Sequence, residues 1–245
     1  MRCRCSSTAN RPCSGSPPAS TENPPRPTAV SFKLERIAAR RKHNAPERRR
    51  QLADAAIALL GSNGVHGVSH PRVDDHADVP AGTASFYFRT RKALLHAIAT
   101  RLAELDVADF SRMAELADDP SGQFTGTAGL ARIVMYVNSE PWLTRAKARY
   151  ELALLAGRDA ELAATLGESA ERLYALARDV VTQWHPAGSA PEPALVDDQA
   201  IATLAFINGI MLTFVAGQPA VDSADHLDRL IRGVIAGVAG VHGAS

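Results

Sequence analysis

A chain of 245 residues with 46% hydrophobic side chains can bury one large core or two modest ones, so a stapled mini-protein is excluded. Alanine and leucine dominate, aromatics make up 5%, and period-two runs of β-branched residues are nearly absent, which points to an all-α fold. The net charge of +1 hides an asymmetry: residues 1–50 carry 12 Lys and Arg against 3 Asp and Glu, leaving 15 against 23 for the rest, so only one end suits a polyanion.

Residues 1–45 read as a disordered, basic, Pro/Ser-rich extension. All three cysteines, Cys3, Cys5 and Cys13, lie there, without paired zinc-ligand spacing, and the body has no disulfide framework. A reducing cytoplasm fits best. The first thirty residues lack the continuous apolar stretch of a secretory signal. Phe32, Leu34, Ile37 and Ala38 hint at a short helix entering Arg40-Arg41-Lys42, which either touches a polyanion or is simply solvated.

Folding is expected from Pro46, which a first helical turn tolerates because its missing N–H would be unpaired there anyway. Leu52, Ala56, Leu59 and Leu60 form one apolar face, and Gly64 marks the stop of a helix over about Pro46 to Ser62. Ser69 is placed to cap a second helix, with Pro71 in its first turn and Val73 and Ala77 facing the core. Asp78-Val79 makes a turn, and a short third helix follows over Ala81 to Phe86. Its Thr83, Ser85, Phe86 and Tyr87 combine short hydroxyls with flat rings beside Arg89 and Arg91, a mix suited to bases and phosphates. Thr90 caps a fourth helix carrying Leu94, Leu95, Ile98, Leu102 and Leu105. Arg91 and Lys92 in its first turn oppose the helix dipole, which implies a partner outside the helix, such as a phosphate.

These residues resemble the DNA-binding domain of the tetracycline-repressor (TetR) family of bacterial regulators, and specifically a subgroup common in high-GC bacteria. Ala77-Asp78-Val79-Pro80 is similar to the family's turn, Gly82-Thr83 to its glycine–threonine pair, Phe88 to its closing aromatic, and Arg91 to Leu95 to the start of its fourth helix. The chain departs from the pattern at Asp78 (usually Gly), Ser85 (usually Tyr), Pro71 and Arg91 (usually Lys). The resemblance implies a helix-turn-helix domain over residues 46–106 and a helical effector-binding and dimerisation domain over residues 107–241. DNA-contacting candidates are Arg49, Ser69, His70, Arg72, Ala81, Gly82, Thr83, Ser85, Phe86, Tyr87, Arg89 and Arg91.

Beyond Val107 periodicity predicts helices over Gly129 to Val137, Trp142 to Leu155, Ala160 to Trp184, Val196 to Val215 and from Ser223 onward. Ile201 to Gly217 is apolar but short for a bilayer span, and reads as a buried or interface helix. The resemblance implies an effector pocket, for which Phe110, Met113, Met135, Tyr136, Trp142, Arg149, Tyr150, Tyr174, Phe206 and Asn208 are candidates; the apolar and aromatic ones are more often plain core at such helical positions, and Arg149 and Asn208 need a partner if buried. It also implies that the last two helices pair with a second copy, through Ile207, Met211, Leu227, Leu230, Ile231, Val234, Ile235 and Val238.

No metal-ligand spacing accompanies His66, His70 and His76, and no nucleophile, phosphate-loop or dinucleotide motif appears. The expectation is a non-enzymatic, cofactor-free transcriptional regulator, a repressor that a small effector releases from double-stranded operator DNA. A helical small-molecule-binding protein or enzyme with a merely structural N-terminal hairpin is the alternative.

Overall fold

The computed structural model describes the backbone of residues 29–117, 125–186, 188 and 190–242, and side chains from residue 45 except 110–117. It divides into two units, Met1–Asn44 and Ala45–Ser245. In the first, the described backbone from Ala29 is helical, where composition predicts a disordered extension. The disorder expected of residues 1–28, and the three cysteines, lie outside the described residues.

Every described element is an α-helix: α1 (Ala29–Gly67), α2 (His70–His76), α3 (Thr83–Tyr87), α4 (Arg91–Ala117), α5 (Gly126–Tyr136), α6 (Trp142–Ala156), α7 (Ala160–Trp184), α8 (Pro193–Val215) and α9 (Ala224–His242). The stop expected at Gly64 is a kink, with Gly64 at φ 65° and the helix resuming to Gly67. Ser69 occupies the N-cap position of α2 in extended geometry, but its side chain makes no capping bond. The caps of α4 and α9 do form: Thr90 Oγ1 accepts the Ala93 N–H at 3.0 Å and Ser223 Oγ the His226 N–H at 3.3 Å.

Two apolar cores hold the second unit together. The first joins Leu52, Ala56 and Leu60 of α1, Val73 of α2, Ala84 of α3 and Leu94, Ile98 and Leu102 of α4 to Ala148 and Leu152 of α6 and Leu162 of α7. The second joins α5, α7, α8 and α9 through Val134, Val181, Ile207, Phe214, Leu227, Ile231 and Ile235. Packing therefore does not divide at residues 106/107. α4 runs unbroken through that point, and the core of the first four helices reaches into α6 and α7.

Among the described residues, α8 alone is long and apolar enough to cross a membrane by length and composition. Its inward face instead packs on α7 and α9 and includes a fully buried glutamine. Gln199 donates from Nε2 to the Ile235 carbonyl and its Oε1 accepts from His185 Nε2, both at 2.9 Å, so its amide is satisfied in the core.

Candidate nucleic-acid interface and effector body

α2 and α3 are too short to be stable alone, and tertiary contacts hold them in place. Val73, Ala77, Ala84 and Phe88 are buried in the core they share with α1 and α4. Between the helices Asp78 sits at φ 50°, a left-handed conformation that a short polar side chain tolerates better than most, which accounts for aspartate where the family pattern has glycine. Gln51 of α1 donates to the Ala77 carbonyl at 2.9 Å, bracing the end of α2.

Asp74, 2% exposed, is the keystone that sequence reasoning missed. Its Oδ2 accepts the Gly82 N–H at 2.8 Å and its Oδ1 the Ala84 N–H at 2.7 Å. One carboxylate thus ties α2 to the turn and to the start of α3, using charge-assisted bonds roughly twice as strong as neutral ones. Gly82 adopts φ 87°, which only glycine holds without strain.

Several expected phosphate ligands have partners within the chain. His70 Nε2 donates to the Phe88 carbonyl at 2.5 Å, locking the start of α2 to the end of α3. Arg91 donates to the Val65 carbonyl at the end of α1. Lys92 Nζ lies 3.3 Å from Asp159 and 3.6 Å from Glu161 at the start of α7. The outside partner inferred for the cations of α4 is therefore this protein itself, at a helix end and an acidic pair. His96 completes the group, with Nε2 3.1 Å from Asp159 and Nδ1 3.5 Å from Glu161. The His96 bond, together with the Leu162 N–H and Lys92, holds the Asp159 carboxyl down at about 2.

The outer surface of α3 carries Ala81, Gly82, Ser85 and Phe86, all exposed, with Thr83 half-buried. Thr83 Oγ1 donates to the Pro80 carbonyl at 2.5 Å and Ser85 Oγ to the Gly82 carbonyl at 3.0 Å. Phe86 is 76% exposed, and half-buried Tyr87 meets it edge-on at 5.1 Å. The Arg49 guanidinium lies over the Tyr87 and Phe88 rings at 5.5 and 5.7 Å. Arg72, exposed, donates to Asn63 at 3.3 Å, and Arg89 is exposed. A groove of about 650 Å³ runs behind this surface, bordered by Arg49, Tyr87, Thr90, Lys92 and His96.

In the body, Arg145 and Arg149 of α6 meet α4, and Tyr150 meets α8. Arg149 pairs with Asp106 of α4, itself buried, and burial pulls the guanidinium down to about 10. Arg145 pairs with Asp109 at 3.4 Å and covers the Trp142 ring at 5.0 Å. Tyr150 donates to the Asn208 carbonyl at 3.0 Å, and burial raises its hydroxyl. Tyr174 is half-buried on α7. Of the other pocket candidates, Asn208 meets these through its backbone carbonyl alone. Tyr136 is 57% exposed, Met135 and Phe206 pack on the second core, and Asn208 is exposed with its amide bonded to Leu204 of its own helix. The side chains of Phe110 and Met113 lie outside the described residues.

The interface candidates split by helix face. Leu227, Ile231 and Ile235 are 0% exposed and Ile207 6%, all within the second core. Side chains with no free surface cannot bury it against a second copy, so these four are core. Met211, Val234 and Val238 are half-buried, while Leu230 is exposed. The outward face of the pair also holds Ile201 and Leu212, 56% and 52% exposed, which periodicity alone did not single out.

Residues 123–237 match the tetracyclin repressor-like C-terminal domain, and residues 52–98 match the bacterial regulatory proteins of the tetR family, together about two thirds of the chain. Among solved structures, a TetR family member from Streptomyces coelicolor A3 is 26% identical, with 77% of this chain and 98% of that one covered and a TM-score of 0.57. The multidrug binding protein EbrR, complexed with ethidium, is 27% identical over 77% of this chain and 98% of its own, with a TM-score of 0.56. A regulator from Saccharomonospora viridis in complex with choline shares the fold at 16% identity, 78% and 96% coverage and a TM-score of 0.62. No curated protein matches the sequence. Domain matches, a braced helix-turn-helix and the helical body packed behind it agree: the chain belongs to the TetR family and is a ligand-responsive, DNA-binding transcriptional regulator.

Proposed function

We propose that the protein is a cytoplasmic repressor that works by binding alone, without catalysis, and leaves a palindromic operator when an apolar or amphipathic effector enters its body. The observation that carries this reading is the Asp74 brace. It presents α3 with Ser85 and Phe86 outward, clear of the apolar core that half-buried Tyr87 flanks. In this reading Thr83, Ser85, Phe86 and Tyr87 meet base edges, while Arg49, Arg72 and Arg89 meet phosphates. His70 and Arg91 serve chiefly to position the helices. The second copy sits on the outward face of α8 and α9, around Ile201, Leu212 and Leu230, which sets two α3 helices a fixed distance apart.

The effector is assigned to the helical body, with Trp142, Arg149 and Tyr150 of α6 as the residues expected to meet it. EbrR carries ethidium, so ethidium is a rational first probe. Gel shifts of the full chain on DNA flanking its own gene test the proposal. Sequence-selective binding, weakened by Tyr87→Ala and reversed by an effector, is the expected result. Binding without sequence preference, unchanged by Tyr87→Ala, overturns it.

A further inference from the structure

α3 reads TASFY, and within it no side chain can make a bidentate bond to a guanine or adenine edge, since Arg, Lys, Asn and Gln are all absent. Of its three hydroxyls, those of Thr83 and Ser85 already donate to backbone carbonyls of their own turn, at Pro80 and Gly82, and the third belongs to half-buried Tyr87. The most exposed side chain of the helix, Phe86, is apolar. Among the described residues of the first four helices from Ala45 to Asp106, Phe86 is the one large hydrophobic side chain that is exposed. Its immediate neighbours Ala81, Gly82 and Ser85 are small, so the ring stands proud of the surface. Tyr87 meets it edge to face at 86°, a favoured aromatic geometry that restricts its motion before any ligand arrives.

A phenyl ring held in water gains nothing for folding, and Phe86 stands on the surface assigned above to base edges, where an apolar group of the DNA would cover it. The apolar feature that the base pairs expose in the major groove is the thymine 5-methyl group. We infer that Phe86 reads a thymine methyl in each half-site of the operator. The inference rests on the regulator reading above and adds the chemical feature that α3 recognises. It predicts a specificity set by methyl contact rather than by guanine hydrogen bonding.

The test starts from the full-length protein selecting its preferred duplex from a randomised pool; a pool that never enriches defeats the regulator reading itself. Each thymine of the enriched site is then replaced by deoxyuridine, which removes only the methyl, and each cytosine by 5-methylcytosine, which adds one. Removing the read methyl is expected to weaken wild-type binding about fourfold per half-site, the worth of one buried methyl, and on the order of tenfold over a two-fold site. Phe86→Ala, a truncation on the surface that leaves the core intact, should bind more weakly and ignore the swap. Phe86→Leu should retain the methyl sensitivity. If no deoxyuridine position separates wild type from Phe86→Ala, the inference is wrong. Loss of affinity in Phe86→Ala with methyl indifference throughout would instead mark the ring as a wedge between base steps, and would also overturn it.

Discussion

At Asp74 a single buried carboxylate satisfies two backbone donors, 8 and 10 residues further along the chain. Asp74→Ala should cost about 2 kcal/mol, because buried N–H groups lose charged acceptors. Calorimetry is expected to show the lower melting temperature, and gel shifts a larger loss of DNA affinity than any single outward residue of α3 produces. Asp74→Asn keeps one acceptor and should fall between. Asp159 offers a pH test. Its carboxyl sits at about 2 against an ordinary 3.8, so its contribution is complete above the ordinary value and disappears as pH falls from about 4 to about 2. Wild type should lose melting temperature through that window more steeply than Asp159→Asn, and parallel curves would exclude the link. Neither role was legible beforehand. Nothing local marks Asp74 among the polar residues of α2, and its partners come within reach only because Asp78 and Gly82 turn the chain with positive φ.

The link between the helix-turn-helix and the body is built by the end of α1. Gly61 packs so closely on α6 that an added Cβ would lie 2.2 Å from the Thr144 carbonyl oxygen and 2.8 Å from its Cγ2. Beyond the Gly64 kink, the Val65 N–H donates to Glu151 of α6 at 3.2 Å, while the Val65 carbonyl accepts from Arg91 of α4. A body helix and the first turn of α4 thus hold one residue from both sides. Gly61→Ala must push α6 away from α1, at a cost of about 1–3 kcal/mol for overpacking. The expected outcome is a lower melting temperature and an altered effector dependence of DNA release; normal stability and normal release would show that the contact carries nothing. Helix periodicity located Gly64 as a stop but was silent on the partner. The Glu151–Val65 contact spans 86 residues of sequence.

For the whole molecule the decisive matter is which apolar face meets the subunit's own core and which faces outward. Ile231 and Leu212 are both apolar residues of the last two helices, yet the first is 0% exposed and the second 52%. Leu212→Glu should leave helical circular dichroism unchanged, convert the dimer to monomer in sedimentation and reduce operator affinity more than tenfold, since two half-sites no longer bind together. Ile231→Glu should unfold the body instead, by burying an unpaired charge. If Leu212→Glu remained dimeric, the interface would lie elsewhere.

By itself the sequence determined what local rules govern. Apolar residues at 3.6-residue spacing, caps at Thr90 and Ser223, and the Asp78-Val79-Pro80 turn were enough to place α2, α3 and α5 to α9 within a few residues and to point to the family, whereas α1 starts at Ala29 rather than Pro46. Only tertiary structure decided what depends on residues far apart in the chain. Arg91 and Lys92, though exposed, pair with a helix end and an acidic pair of their own chain, the first core crosses the expected domain boundary, and Phe86 is left as the apolar side chain facing out. The physical reason is that periodicity reports that a helix has an apolar face, whereas the partner of that face, or of a charge, is set by which distant segment packs against it.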